Sequence, residues 1–558
     1  MNWNKRDDLL TVSDVVCRNM NIPDIDQLKA WETKSERGEY RIDALDDACR
    51  LIDEYKDKHI WICGDYDADG RNAAAILYLG LVYYGCKNII VKIPKRFSDG
   101  YGMKPEMIDC IEHPDTLIIT VDNGIAAVDA VKRAKELGMK VIVTDHHPGN
   151  TDSDNVLIRP DADVVIDPKA IQGSADFDGY CGAGVAYRLV CALVKNKNFT
   201  DSLIPYVAIA TIADIMDLRE ENRVLVKRGL SMMSARNAAP GILALMDGMD
   251  IQTCDATAVG FKMAPAINAT GRIEDHDTVT LQMLCAKTIE RGRVLAEQVI
   301  QNNSLRKKLV VKGVAEAEEI LGKEERNDDD IIIVALKDTV AGIAGIVAGK
   351  LSEAYGVPAI VFSAAQNGVL HGSARSVEGF NISGFIDRYS SLFKTNGGHE
   401  QAAGVSVYEC VFPKMKETLT EAFRDEGFVY IPPEDAFYDL EIEADEVMDV
   451  LKELDKYEPY GKGNEKPVFK IKNFRLVDYP KQIAGNGVRL KSASVTAVGF
   501  GLWPLLSCDE NEIASYDLYG TLSWNEFRGR KNAQIELIDL KKRDRKQTTS
   551  FAASLKKI

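Results

Sequence analysis

Ile60-Trp61-Ile62-Cys63-Gly64-Asp65-Tyr66-Asp67-Ala68-Asp69-Gly70 is a short apolar run that breaks into alternating carboxylates. Such a run bounded by glycine reads as a buried strand. Carboxylates at i, i+2 and i+4 on extended backbone project to one side, where their oxygens can share a divalent cation. The same spacing begins a helix-loop-helix calcium loop, but that loop needs a bidentate Glu at its twelfth position, and Ile76 stands there. Three carboxylates at a strand end repel one another unless a cation neutralises them. Farther along, Val141-Ile142-Val143 leads into Thr144-Asp145-His146-His147, a second strand end with a carboxylate and two imidazoles. Together they form a candidate two-metal hydrolytic centre.

Working outward, strands are expected at His59 to Cys63, Asn88 to Ile93, Thr116 to Val121, Lys140 to Thr144 and Val164 to Asp167, with helix-length segments between them. That alternation predicts parallel βαβ units, whose ligands gather beyond the carboxyl ends of the strands. The acidic clusters fall there, including Asp122-Asn123-Gly124 after the third strand. Asp214 is isolated in the apolar run Ala208 to Met216, where a buried carboxylate is costly unless paired or metal-bound.

Composition sets the frame. The chain has 558 residues, 46% of them hydrophobic, enough for roughly three to four domains. No apolar stretch approaches the roughly 20 residues that span a bilayer, and the polar start Met1 to Asp8 does not read as a secretion signal, so a cytoplasmic location without membrane contact is expected. The eleven cysteines include no Cys-x-x-Cys pair, which argues for reduced thiols. The net charge of −16 opposes a polyanionic partner on average, but Lys92, Lys95 and Arg96 and the Lys541 to Ile558 tail are local basic tracks.

The motifs resemble, in order, motifs one to four of the DHH phosphoesterase superfamily: Gly64 to Gly70, Asp122-Asn123-Gly124, Asp145-His146-His147 and Ala213-Asp214. Within it the chain is similar to the RecJ-type single-strand-specific exonucleases. The match continues through Pro265-Ala266-Ile267-Asn268-Ala269-Thr270-Gly271-Arg272, Gly372-Ser373-Ala374-Arg375-Ser376, Gly397-Gly398-His399-Glu400-Gln401-Ala402-Ala403-Gly404 and Pro459-Tyr460-Gly461-Lys462-Gly463-Asn464.

The resemblance implies that Asp67, Asp69, Asp122, His146 and Asp214 hold two ions, with Asp122 bridging them. It places His147 toward the scissile phosphate and Asp65 and Asp145 in support, since oriented carboxylates fix an imidazole's tautomer. Hard oxygens with imidazole and no thiolate suit Mn²⁺, the first choice, or Mg²⁺. Arg375 and His399 are the expected grip on the nucleotide being cleaved, with Ser373, Gly398, Asn268, Arg272, Lys462 and Asn464 as further substrate contacts. Cys63 stands where some relatives carry a metal-binding His, and reads here as the buried end of a strand.

The expected architecture is α/β: an N-terminal segment (1–55), a parallel-sheet DHH catalytic domain (56–277), a long connecting helix and linker (278–330), a smaller α/β DHH-associated domain (331–427), a β-rich OB-type domain (428–545) and a basic tail (546–558). One continuous helix is expected from Thr278 to Leu321, and Gly397-Gly398-His399 is expected as a tight turn that lets backbone amides approach a phosphate. In the OB-type domain Trp503, Trp524, Phe527 and Tyr460 are stacking candidates, although core positions suit each of them better, and Lys462, Arg489, Lys491, Arg528 and Arg530 are candidate phosphate contacts.

The chain departs from the family at Ala266 (usually Arg), Ala374 (usually Gly), Val340-Ala341-Gly342 (usually His-Pro-Gly) and Glu465 (usually Pro), positions that bear on strand handling. The resemblance implies 5′ to 3′ hydrolysis of single-stranded DNA in repair and recombination by a monomer, with single-strand-binding protein and a helicase as partners. The alternatives are a phosphodiesterase for short oligonucleotides or cyclic dinucleotides, and a non-catalytic single-strand-binding scaffold.

Overall fold

The chain opens with a short strand, β1 (Asn2–Lys5), and a helix, α1 (Val12–Met20), whose first turn is capped by the Thr11 side chain accepting from Asp14 N. The structure is a computed structural model that describes the chain except residues 96–99, 101, 274–277, 325–326, 328, 366, 431–434, 507–513, 528–529 and 544–558, and the side chains of residues 526, 527 and 530. Arg96, Arg528, the side chains of Phe527 and Arg530, and the 546–558 tail therefore lie outside it. The described residues form two compact units: 39–216 with 225–431, and 1–38 with 217–224 and 432–558.

The first of these carries a five-stranded parallel sheet in the order β3-β2-β4-β5-β6: β2 (His59–Cys63), β3 (Asn88–Lys92), β4 (Thr116–Val121), β5 (Lys140–Thr144) and β6 (Val164–Ile166). Every residue of β4 is buried, as the centre of a sheet covered on both faces demands. Between the strands run α2 (Ala68–Tyr84), α3 (Pro105–Ile108) and α4 (Val128–Glu136), followed by α5 (Gly182–Leu193) and α6 (Ile204–Ala213). One expectation is corrected here. Asp65, Asp67 and Asp69 do not share an extended segment: Asp67 is the N-cap of α2, accepting from Gly70 N at 3.0 Å, and Asp69 lies in its first turn. A capping Asp followed by Ala and Gly favours turning into the helix over continuing the strand.

The stretch from Thr278 to Leu321 is two helices, α7 (Val279–Leu284) and α8 (Ile289–Leu321), rather than one. Thr288 starts α8 by accepting from Arg291 N at 3.3 Å, a cap that competes with helix continuation. The two glycines of α8 are packing sites: a Cβ at Gly292 would meet Pro240 O at 2.9 Å, and one at Gly313 would meet Val347 at 3.0 Å. Beyond it, β7 (Ile332–Ala335), α9 (Ala341–Tyr355), β8 (Ala359–Phe362), β9 (Val369–Arg375), β10 (Thr395–His399) and β11 (Ala402–Tyr408) form a mixed sheet in the order β10-β11-β9-β8-β7. Gly397-Gly398-His399 is thus an edge strand of a hairpin, with the turn at Glu400-Gln401. Gly398 is needed for close approach, since a Cβ there would lie 2.3 Å from Ala402 O.

In the other unit, β12 (Asp435–Tyr438) pairs in parallel with β1, and β13 (Leu440–Glu443) begins a seven-stranded sheet in the order β13-β14-β18-β19-β17-β16-β15. Its other strands are β14 (Phe469–Arg475), β15 (Lys481–Ile483), β16 (Gly487–Lys491), β17 (Thr496–Gly499), β18 (Ser515–Phe527) and β19 (Arg530–Lys542). Val12, Val15, Val16 and Met20 of α1 are buried in this sheet's core with Phe469, Ile471 and Leu518, so the N-terminal residues build on the C-terminal domain. Arg6 and Arg18 both reach the buried Asp439, at 3.0 and 2.6 Å.

Candidate metal centre

Four loop ends of the first unit converge. His146 Nε2, just past β5, lies 3.0 Å from Asp122 Oδ1 past β4, 3.6 Å from Asp69 Oδ2 in α2 and 3.7 Å from Asp214 Oδ2 at the end of α6. Ligand atoms of Asp69, His146 and Asp214 form one group within 4.8 Å of one another, and those of Asp65, Asp67 and Asp122 form a second. A third joins Asp122, His146 and His147. Asp122 belongs to two of these groups, and so does His146. Asp214 is less buried than its apolar surroundings suggest, its side chain being 32% exposed.

The electrostatics fit cations. Burial raises the Asp122 carboxyl well above its ordinary range, and Asp69, Asp67, Asp65 and Asp145 add repulsion. Burial likewise raises Asp69, against the pull of His146. Burial pushes His146 down, keeping the imidazole neutral as a ligand must be. Carboxylates gathered in a buried hollow are stable when a cation compensates them, and a donor set of oxygens with one neutral imidazole suits Mn²⁺ or Mg²⁺.

Neighbouring groups fix the donors. Asp69 accepts from Gly182 N at 2.6 Å and Ala183 N at 2.7 Å, the exposed amides at the start of α5. Gly182 is obligatory there, because a Cβ would sit 2.4 Å from Asp122 Cβ. Asp145 does not reach inward as a ligand: Oδ2 accepts from Ile125 N at 2.9 Å, while Oδ1 accepts from His146 N at 2.8 Å and lies 2.7 Å from His147 Nδ1. For His147, burial opposes the charge, but the Asp145 carboxylate and the surrounding acids outweigh it and lift the imidazole to about 9. Asp145 stays below its ordinary range because those same bonds overcome its burial. Asp65, 2% exposed, lies against Gly70, where a Cβ would come within 2.6 Å of it. Cys63 is fully buried, its thiol pushed up to about 12.

Of the expected substrate contacts, Arg375 and His399 are brought into one row, since both pair with Ala402 on β11. Gly398 falls in the next row, opposite Ala403, and Ser373 in the row after it, opposite Gly404. Arg272 Nη1 donates to Gly342 O at 3.3 Å, and a Cβ on Gly345 would meet Arg375 Nη2 at 3.1 Å, so both guanidinium groups address the first turns of α9. Asn268 Oδ1 is buried with no partner among the described residues. In the other unit, Lys462 is exposed and pairs with Asp217 at 3.4 Å. Asn464 is fully buried and donates to Tyr457 O and Pro459 O, shaping its loop from inside rather than presenting its amide at the surface. Tyr460 donates to Leu454 O and Trp524 to Asp455, and both, with Trp503, are partly buried against the core.

Three supporting groups escaped the sequence reading. The α5 amides have no side-chain signal beyond the small-residue run Cys181-Gly182-Ala183-Gly184. Asp167 closes β6, and the strand-end rule that found the other acids also reaches it. Arg71 is fully buried, donating to Ile267 O and to Thr270 Oγ1 at 2.8 Å, which ties α2 to the segment that carries Asn268 and Arg272.

Known proteins share this chain's domains and fold. Residues 59–215 match the DHH family, N-terminal domain, residues 328–425 the DHHA1 domain and residues 438–539 the RecJ OB domain. The single-stranded-DNA-specific exonuclease RecJ of Salmonella typhimurium is 33% identical over 86% of this chain and 87% of its own, and that of Escherichia coli is 31% identical over 85% and 86%. The crystal structure of RecJ in complex with Mn²⁺ from Thermus thermophilus superimposes with a TM-score of 0.75 at 25% identity, covering 97% of this chain and 80% of that one. An α/β domain with its acids at strand ends, a DHH-associated sheet, an OB-type sheet and two curated relatives at 31 and 33% identity, covered to 86 and 87% of their length, lead to one conclusion: this chain belongs to the RecJ family of the DHH superfamily.

Proposed function

We propose that the protein is a metal-dependent exonuclease that hydrolyses the phosphodiester bonds of single-stranded DNA from 5′ to 3′. The observation that carries this is the convergence of Asp69, Asp122 and Asp214 on His146 Nε2, with Asp65 and Asp67 grouped around Asp122. Asp67, Asp69, Asp122, His146 and Asp214 would hold two Mn²⁺ or Mg²⁺ ions, with Asp122 serving both. When bound, such ions lower the pKa of an attacking water and offset charge on the phosphoryl group.

The chain's own residues do the rest. Asp145 orients His147 and favours its charged form, whose ring can donate to a phosphate oxygen in the transition state. Arg375 and His399 grip the terminal nucleotide, with Ser373, Gly398, Asn268 and Arg272 beside them. The OB-type unit, with Lys462 at its surface, favours an extended strand over a dinucleotide, because a short ligand needs no second track. The protein acts as a cytoplasmic monomer, with single-strand-binding protein and a helicase supplying strands.

End-labelled single- and double-stranded DNA incubated with Mn²⁺ tests this. The wild type should degrade only single strands from the 5′ end, and Asp67→Ala/His146→Ala should be at least about 10³-fold slower. Intact single strands, or loss of dinucleotides alone, would overturn it.

A further inference from the structure

One hollow in the metal-bearing unit takes no part in the chemistry above. It encloses about 740 Å³ along the flank of β3, the edge strand of the parallel sheet, a size typical of small-ligand sites. Its apolar surface comes from Trp61, Ile90, Met107 and Ile111, and Ile90 is 56% exposed in the middle of its strand.

The two ends of the hollow differ in character. Lys92 and Lys95 stand at the carboxyl end of β3, with Lys104 from the residue that precedes α3. Lys92 is in register with Cys63, the residue before Gly64-Asp65, so this end adjoins the acidic loop. At the amino end of β2, His59 and His113 stack with ring centroids 3.8 Å apart and planes 6° from parallel. Glu112 lines the wall beside them. Lys92 and Lys104 have no ion pair among the described residues, although a chain of net charge −16 has carboxylates in excess. Cations left unpaired at an apolar hollow are placed for an anion from outside. Glu106 and Glu112 also line it, which disfavours a polyanionic strand. A ligand with one anionic end and a planar end bearing N–H donors satisfies both features.

We propose that this hollow binds a nucleoside 5′-monophosphate, with the phosphate on Lys92, Lys95 and Lys104, the base against the apolar floor and the stacked imidazoles, and Glu112 accepting from an exocyclic amino group. The source of the nucleotide rests on the exonuclease reading, since hydrolysis would release it beside the lysine end.

Isothermal titration in EDTA tests binding without any cleavage, so it stands whether or not the protein cuts DNA. dAMP should bind the wild type with 1:1 stoichiometry, and deoxyadenosine at least 10-fold more weakly. Lys92→Glu/Lys104→Glu, which removes the phosphate contacts, and Ile90→Trp, which fills the hollow from an exposed position, should each weaken dAMP at least 10-fold with unchanged thermal melts. No binding of dAMP to the wild type, equal binding to both variants, or a (dT)₁₀ strand that binds while dAMP does not, would each overturn the proposal.

Discussion

Asp167 is 1% exposed at the end of β6, its Oδ1 accepting from Lys169 N at 2.9 Å and Ala170 N at 2.8 Å while Oδ2 has no hydrogen-bond partner among the described residues. Burial, aided by the Asp145 charge, lifts it to about 7. The unfolded carboxyl titrates near roughly 4, so the native state binds this proton more tightly and the group's contribution to stability falls as pH rises from about 4 through 7. Asp167→Asn keeps the accepting oxygen and should add roughly 1–3 kcal/mol at pH 8 and less at pH 5. Denaturant titrations at the two pH values measure it, and equal gains at both would refute the burial argument. His147 has the same sign in a higher pH window. Its raised pKa gives stability that is complete below about 6.5 and lost as pH climbs through about 9. In metal-free protein its ring should titrate near 9 by NMR and fall in Asp145→Asn, because the hydrogen bond and charge of Asp145 are lost while burial remains; an unmoved titration would remove Asp145 from that role. These residues were legible as types in the sequence, since carboxylates and imidazoles at strand ends announce themselves. Their division of labour came from the family resemblance and not from the residue pattern, because Asp65, Asp67 and Asp69 are alike in sequence and differ only in where the turn into α2 places them.

Among the elements, the parallel strands were read to within a residue, because strands covered on both faces are continuous apolar runs. The Gly397 to His399 strand was read as a turn because glycines carry no side-chain pattern, and only pairing with β11 reveals it. The start of α5 is the element on which the metal centre leans most. Gly182 and Ala183 amides hold Asp69, and the missing Cβ of Gly182 makes room for Asp122. Gly182→Ala should push the helix from Asp122 and lower the cleavage rate by about 10²-fold even at saturating Mn²⁺, a displacement effect on positioned groups. Rates and melting curves measured together would check this, and a normal rate would mean that the helix end gives way freely.

At the scale of the molecule, the first residues of the chain complete its last domain. Trp3 donates to Asp539 at 2.9 Å, stacks on Tyr519 at 5.7 Å and carries Lys541 over its ring at 4.4 Å. Trp3→Ala should therefore destabilise the unit that includes residues 432–558 by roughly 2 kcal/mol. Hydrogen exchange should show faster opening in the OB-type strands and none in β2 to β6, and uniform loss in both units would contradict this assignment. The sequence by itself determined the α/β class and the chemistry of the donors, since hydrophobic period and the placement of acids at strand ends are local properties, and its ordered motifs carried the resemblance to the family. Only the tertiary structure decided that β1 and α1 pack with residues hundreds of positions away, that Asp145 turns to His147, and that Gly182 buttresses Asp69. Those outcomes depend on which buried polar groups find partners and which backbones approach within van der Waals distance, and neither is written in any single stretch of sequence.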